Sequence, residues 1–313
     1  MRGTETIRKR LGRLASWIFS VLVLISCGDS QPVTSAGDTT TSGVLHISVD
    51  ESFKPIIDSQ IRVFESSYPK AKIIAHYKPE AECIKDLMND SIRMVIITRG
   101  LNRNEELVLK DTLRFNPVQG RMAYDAIAVL VNNQAKDSIF DVADVRSLLK
   151  GTGDYKYKLV MDGLSATSTV RYAMDTLLKG EPFGKNVQAA TSSEGVIDYV
   201  ANNADAIGFV GVSWIGNKQD ASQLSFSQNV KIASIECVVC TTKTYVKPYQ
   251  ANIAMRRYPL VRGLYYILKE NYQGLGSGFT NFLIYERGQL IFRRAFLWPA
   301  KMSFEVRNAG INE

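Results

Sequence analysis

The segment MDGLSATSTVR, residues 161–171, carries four hydroxyl side chains within five positions, Ser165, Thr167, Ser168 and Thr169, just after an Asp-Gly turn. Hydroxyls ahead of a helix can do two kinds of work. A single one accepts from a free backbone amide as an N-cap. Several together, beside the unpaired amides of a first turn, can donate to an oxyanion. Val170, Ala173, Met174, Leu177 and Leu178 then recur at helical spacing, which predicts a helix from Ser168 to Lys179 closed by Gly180. One cap would account for one hydroxyl; four point to a cradle for an anion.

Two other loops offer compatible chemistry. Asp50-Glu51-Ser52-Phe53 follows the apolar run VLHISVD and precedes Pro55. Ser52 and the amides of that turn can donate to an anion, or Ser52 or Asp50 can serve as a plain cap. Thr98-Arg99-Gly100 follows RMVIIT. There a guanidinium can offer its fork to a phosphate or carboxylate, or form a surface ion pair.

Other chemistries find little support. The histidines are His46 and His76, His46 lies inside an expected strand, and neither accompanies a nucleophile pattern. No G-x-x-x-x-G-K-[ST] loop occurs, so any ATPase is a partner chain; GLGSGF (274–279) lacks G-x-G-x-x-G spacing and reads as a turn before a helix. No catalytic residue, enzyme activity or cofactor is therefore expected. Cys237 and Cys240 have the CxxC spacing of metal and redox sites. They stand in VKIASIECVVCTT, which reads as a strand, where residues three apart face opposite ways. With no second CxxC or nearby His, no metal site is expected. Buried thiols are the first reading, and a disulfide among Cys83, Cys237 and Cys240 stays open.

The elements that must hold these loops alternate. Residues 44–50 form a strand; Pro55 opens a helix with Ile56, Ile57, Ile61 and Phe64 on one stripe; AKIIAHY is a second strand and RMVIIT a third, with a helix at Cys83–Met88 between them. Such βαβαβ order predicts a parallel sheet flanked by helices, with ligands at the carboxyl ends of its strands. Strand 125–132, a helix, strand KYKLVMD, the helix after the hydroxyl run, helix EGVIDYVANN, strand DAIGFVGV and a strand around Cys237 follow. Leu260, Leu264, Tyr265 and Leu268 mark one late helix, and Phe279, Phe282 and Leu283 another. At 313 residues and 45% hydrophobic, the chain is long enough for two α/β lobes.

The start of the chain has its own logic. Arg8, Lys9, Arg10 and Arg13 precede an apolar run from Ala15 to Ile25, then Leu24-Ile25-Ser26-Cys27. The run falls short of the roughly 20 residues of a spanning helix, so it reads as an export signal rather than an uncleaved anchor. Its last four residues resemble the lipobox of bacterial lipoproteins, which makes Cys27 the lipidated first residue. Residues 28–43 are small and polar, a flexible tether, with the folded part expected from Val44. Without residues 1–26 the chain holds 33 basic and 30 acidic residues, a net charge of +3 that gives no footing for nucleic-acid binding.

The order of motifs resembles the PstS-like periplasmic phosphate-binding proteins of ABC transporters across nearly the whole mature chain. TRGLNRNE (98–105) looks like the family's Ser-Arg-x-Leu…Glu segment, YDAIAVLVN (124–132) its crossover strand, and FDVADVRSLLKG the helix and Gly after it. Ser165-Ala166-Thr167 falls at its Ser-Gly-Thr anion loop. AIGFVGVSWI (206–215) is similar to its Ile-Gly-Tyr/Phe strand, and YPLVRGLYYIL with FTNFLIYERGQLIF to its C-terminal helices.

The resemblance implies an α/β, two-lobed type II periplasmic binding protein fold, each lobe a mostly parallel sheet flanked by helices and joined by two crossover strands. The division expected is 1–26 signal, 27–43 lipidated Cys and tether, 44–124 lobe 1, 125–245 lobe 2, and 246–313 return to lobe 1. Carried over, Ser52 and Phe53 form the first anion loop, Arg99 the strand-three position, and Ser165, Ala166 and Thr167 the second-lobe loop. The implied ligand is phosphate or a related oxyanion, and the implied partners are an ABC permease and ATPase. The protein is expected to act as a monomer on the periplasmic side of the envelope, tied to the membrane by lipid. The chain departs from the family at Met161, where an Arg often stands, at Ala166 for Gly, and at KPEAEC, which brings Glu80 and Glu82 toward an anion's place. The rival reading is a sensing or envelope-interaction lipoprotein with a different ligand or none.

Overall fold

A computed structural model describes residues 37–152, 157–163, 167–215 and 230–301, without the side chain of Glu286. The expected signal peptide, Cys27, the first part of the tether, and Ser165 and Ala166 lie outside the described residues. Among the described residues no helix is long and apolar enough to cross a membrane.

The fold is the two-lobed α/β arrangement expected. Strands β1 (Gly43–Asp50), β2 (Ala71–Lys78) and β3 (Met94–Ile97) run parallel, β1 lying between the other two. Helix α1 (Lys54–Ser67) crosses from β1 to β2 with Pro in its first turn, and Ile56, Ile57, Ile61 and Phe64 are buried as their spacing predicts. Phe64 meets Phe279 and Phe282 at ring-centroid distances of 5.2 and 5.3 Å. Short helix α2 (Glu80–Lys85) follows β2, and α3 (Arg103–Leu113) follows β3 behind a capping box of Asn102 and Glu105.

Strand β4 (Val118–Asn132) is 15 residues long and serves both lobes. The small strand β5 (Ile139–Phe140) and helix α4 (Val142–Lys150) come next. In the second lobe β6 (Lys158–Met161) runs parallel to β7 (Val187–Ala189) and β8 (Ala206–Gly211), while β8 and β9 (Val230–Ile232) pair antiparallel with the later half of β4. Helix α5 (Ser168–Tyr172) passes into a π-helical turn over Ala173–Leu177, and α6 (Ser193–Asn202) packs on β8. Strands β10 (Ser234–Glu236) and β11 (Tyr245–Val246) join β5 in a small separate sheet.

Short helix α7 (Gln250–Ala254) leads back to β12 (Val261–Leu268), antiparallel to both β3 and the early half of β4; helices α8 (Leu275–Ile284) and α9 (Glu286–Arg294) and strand β13 (Trp298–Pro299) complete the chain. The order through the main sheet is β2-β1-β3-β12-β4-β8-β6-β7. Beta4 and the entry to β12 are the two crossings between lobes, tied where Ile127 N–H donates to Leu260 O at 2.9 Å.

Three expectations are corrected. Residues 261–268 form a strand rather than a helix: Arg262, Leu264, Tyr266 and Leu268 are buried in alternation. Cys237 and Cys240 are joined in a disulfide with Cα atoms 5.5 Å apart, and Cys83 is the free buried thiol among the described cysteines. The strand ends at Glu236, so the four residues turn instead of pointing to opposite faces. Order begins before Val44: Asp38 is buried, pairs with Arg93, and accepts from Leu275 N–H at 3.1 Å.

Candidate functional site

The carboxyl ends of β1, β3 and β6 bring Asp50, Thr98 and Asp162 to one region between the lobes. Asp50 caps the 3-10 turn Glu51–Phe53, its Oδ1 accepting from Ser52 N–H at 3.0 Å. That cap fixes Ser52, fully buried, with Oγ donating to Asp162 Oδ2 at 3.3 Å and lying 3.4 Å from Ser168 Oγ. From the second lobe, Thr167 Oγ1 donates to Asp162 Oδ1 at 2.8 Å, and Thr169 Oγ1 and Ser193 Oγ reach Oδ2 at 3.2 and 3.4 Å. Thr167 also caps α5, accepting from Val170 N–H at 3.3 Å.

Two guanidiniums complete the region. Arg262, on β12 at the crossing, donates from Nε to Asp125 Oδ2 and from Nη1 to Ser168 Oγ, both at 2.8 Å. Its Cζ lies 5.1 Å from the centre of the buried Phe53 ring. Arg171 reaches across the lobes, donating to Glu80 Oε2 and Thr98 Oγ1, each at 2.6 Å. Ser193 makes a second crossing, its hydroxyl 2.8 Å from Glu51 Oε2.

Five carboxylates thus surround two guanidiniums, and burial opposes their charge. Desolvation, with Glu80 nearby, raises Asp50 to about 7 against the pull of Arg262. Burial likewise raises Asp125, Asp162 and Glu51. Burial would raise Glu80 too, but the hydrogen bonds and charge of Arg171, with Thr98, bring it below the ordinary value. Among the described residues, Asp50 Oδ2, Asp125 Oδ1 and Arg262 Nη2 are buried without a hydrogen-bond partner. No group of three or more His, Cys, Asp or Glu among them could hold a metal ion.

Of the residues expected from sequence, Ser52 and Thr167 meet around Asp162, and Phe53 lies beneath Arg262. Arg99 is engaged elsewhere, giving its two Nη atoms to Glu105 at 2.7 Å each. Glu80 joins the region; Glu82 is exposed. Met161 is fully buried in the hydrophobic core. Asp50 is the cap that the sequence offered as one option, and Glu51 was visible only as a flank of Ser52. Asp162, Ser193, Asp125 and Arg262 were missed, and the nearest signals were the Asp-Gly turn for Asp162 and TSSEG for Ser193.

The model of the PBP superfamily domain matches residues 34–287. The fold is similar to that of a protein assigned as a phosphate ABC transporter substrate-binding protein, with bound phosphate, from Clostridium perfringens: 19% identity, 83% of this chain and 100% of that one, TM-score 0.68. It is also similar to an ABC-type phosphate transport receptor from Vibrio cholerae, at 17% identity over 81% of this chain and 99% of that one, TM-score 0.60. A third, assigned as phosphate-binding, comes from Planctomyces limnophilus, with 17% identity over 82% and 93% and a TM-score of 0.54. No curated protein matches the sequence. At these identities the likeness shows the fold, and the ligand has to be argued from the site.

Proposed function

Because the chain belongs to the PBP superfamily, a family of binding proteins rather than enzymes, we propose that it captures a small oxyanion, inorganic phosphate, between its lobes and delivers it to an ABC importer. The observation that carries this reading is the convergence of Ser52, Thr167, Thr169 and Ser193 on one carboxylate, with Arg262 beside them. Hydroxyl donors from two lobes suit an oxyanion without fixing its identity. The carboxyl of Asp50, raised to about 7, reduces the conflict with a negative ligand, since a protonated carboxyl is neutral and can itself donate. The proposed ligand-binding residues are Ser52, Phe53, Ser165, Ala166 and Thr167, with Arg262 added. Arg99 is a positioning residue that ties the end of β3 to α3 through Glu105. Lipidation at Cys27 would hold the protein at the periplasmic face, where an ABC permease and its ATPase would be the partners of a monomer.

A second reading is favoured by the excess of carboxylates over guanidiniums: a sensing or envelope-interaction lipoprotein with another ligand or none. Isothermal titration of the ligand-stripped full chain with phosphate, then sulfate, decides between them. The phosphate reading expects saturable heat, weakened about tenfold in Thr167→Val, the loss of one hydrogen bond of about 1.4 kcal/mol. No heat with either anion removes it and leaves the second reading.

A further inference from the structure

The cradle already holds an anion belonging to the chain itself. Thr167 Oγ1 donates to Asp162 Oδ1, and Thr169 and Ser52 direct theirs at Oδ2, while Ser193, 3.4 Å from Oδ2, gives its hydrogen to Glu51 at 2.8 Å. A carboxylate has about four lone-pair sites, and each hydroxyl has one hydrogen to give. Hydrogens spent on Asp162 are therefore withheld from any solute. Asp162 is 6% exposed, and the three donors come from both lobes. Arg262 pairs directly with Asp125 instead, which leaves its buried Nη2 without a partner among the described residues. The lobes are also joined by protein groups, Glu51 to Ser193 and Arg171 to Glu80.

We propose that Asp162 is an internal occupant of the solute site: the chain closes on its own carboxylate, and a small oxyanion enters only by displacing that carboxylate from the hydroxyls. The proposal rests on reading the cradle as the solute site. It makes Asp162 a determinant of affinity, because the incoming anion must both take over its donors and tolerate its charge. Two like charges at such range in a poorly hydrated site repel strongly. Arg262 Nη2 is the donor left over for the newcomer.

Formate and inorganic phosphate are the probes, titrated calorimetrically into the full chain and two variants. Asp162→Ala removes the occupant and opens the space it fills; Asp162→Asn keeps the volume and removes the charge. Circular dichroism and a thermal melt establish that each variant is folded. The expected result is that formate, a detached carboxylate, binds Asp162→Ala at least about tenfold more tightly than the parent. Phosphate should gain similarly in one or both variants. If phosphate binds the parent and both folded variants bind it equally or more weakly, with no gain for formate, the proposal falls while the solute site stands. If neither probe binds the parent or a folded variant, the proposal and the solute-site reading fall together.

Discussion

Asp50 offers the most direct test of the electrostatics. It is 1% exposed, its Oδ1 accepts from Ser52 N–H at 3.0 Å, and its Oδ2 has no partner among the described residues. Burial first, then the charge of Glu80, raises its carboxyl from 3.8 to about 7, which corresponds to roughly 4 kcal/mol between the protonation states. Because the folded value exceeds the unfolded one, the folded protein binds more protons between these two values. The stability contributed by neutral Asp50 is complete below about pH 4 and is lost as pH rises through about 7. Asp50→Asn keeps the shape and the acceptor for Ser52 N–H but never ionises. Near pH 4 it should cost about 1 kcal/mol, for an amide placed where an oxygen stood. From there to about pH 8, its stability relative to the parent should climb by up to about 4 kcal/mol. Urea unfolding followed by circular dichroism at several pH values measures that difference. A difference constant within about 0.5 kcal/mol would mean that Asp50 ionises in the fold as it does in water, and the buried-carboxyl argument would collapse.

Four further outcomes are expected. Glu80→Gln should lower stability by about 2 kcal/mol, less than for a fully buried ion pair because the Arg171 side chain is 36% exposed. The same variant should raise the radius of gyration in solution scattering, since Arg171 and Glu80 sit on different lobes; an unchanged radius would show that the pair does not hold them together. Cys83, fully buried and pushed up to about 12 mainly by desolvation, should resist iodoacetamide until the protein is unfolded. Cys240→Ser should cost about 2 kcal/mol, as befits a disulfide closing so short a loop, and labelling of native Cys83 or a fully stable Cys240→Ser would contradict these assignments.

The parts of this molecule that could be read from sequence are those whose period admits one interpretation. Helix α1 shows its stripe because Ile56, Ile57, Ile61 and Phe64 fit a helix and not an alternating strand. Leu260, Leu264 and Leu268 are spaced by four, which lies on one face of a helix and, being even, on one face of a strand as well. Taking the helical option there concealed Arg262, whose alternation with Leu264 and Tyr266 is what buries it. The CxxC was misjudged for a related reason: opposite faces follow only while the strand continues, and it stops at Glu236. Cross-lobe pairs leave no local trace, since Glu51 and Ser193 are 142 positions apart and Glu80 and Arg171 are 91 apart. At Thr167, by contrast, the roles of cap and anion donor are compatible in one side chain. Thr167 Oγ1 accepts from Val170 N–H as a cap and gives its hydrogen to Asp162 as part of a cradle. One hydroxyl can do both, because a cap uses its lone pair and an anion uses its hydrogen. Within the run, Thr167 and Thr169 are donors. Which anion receives them depends on Asp162, three positions before Ser165 and outside the hydroxyl pattern.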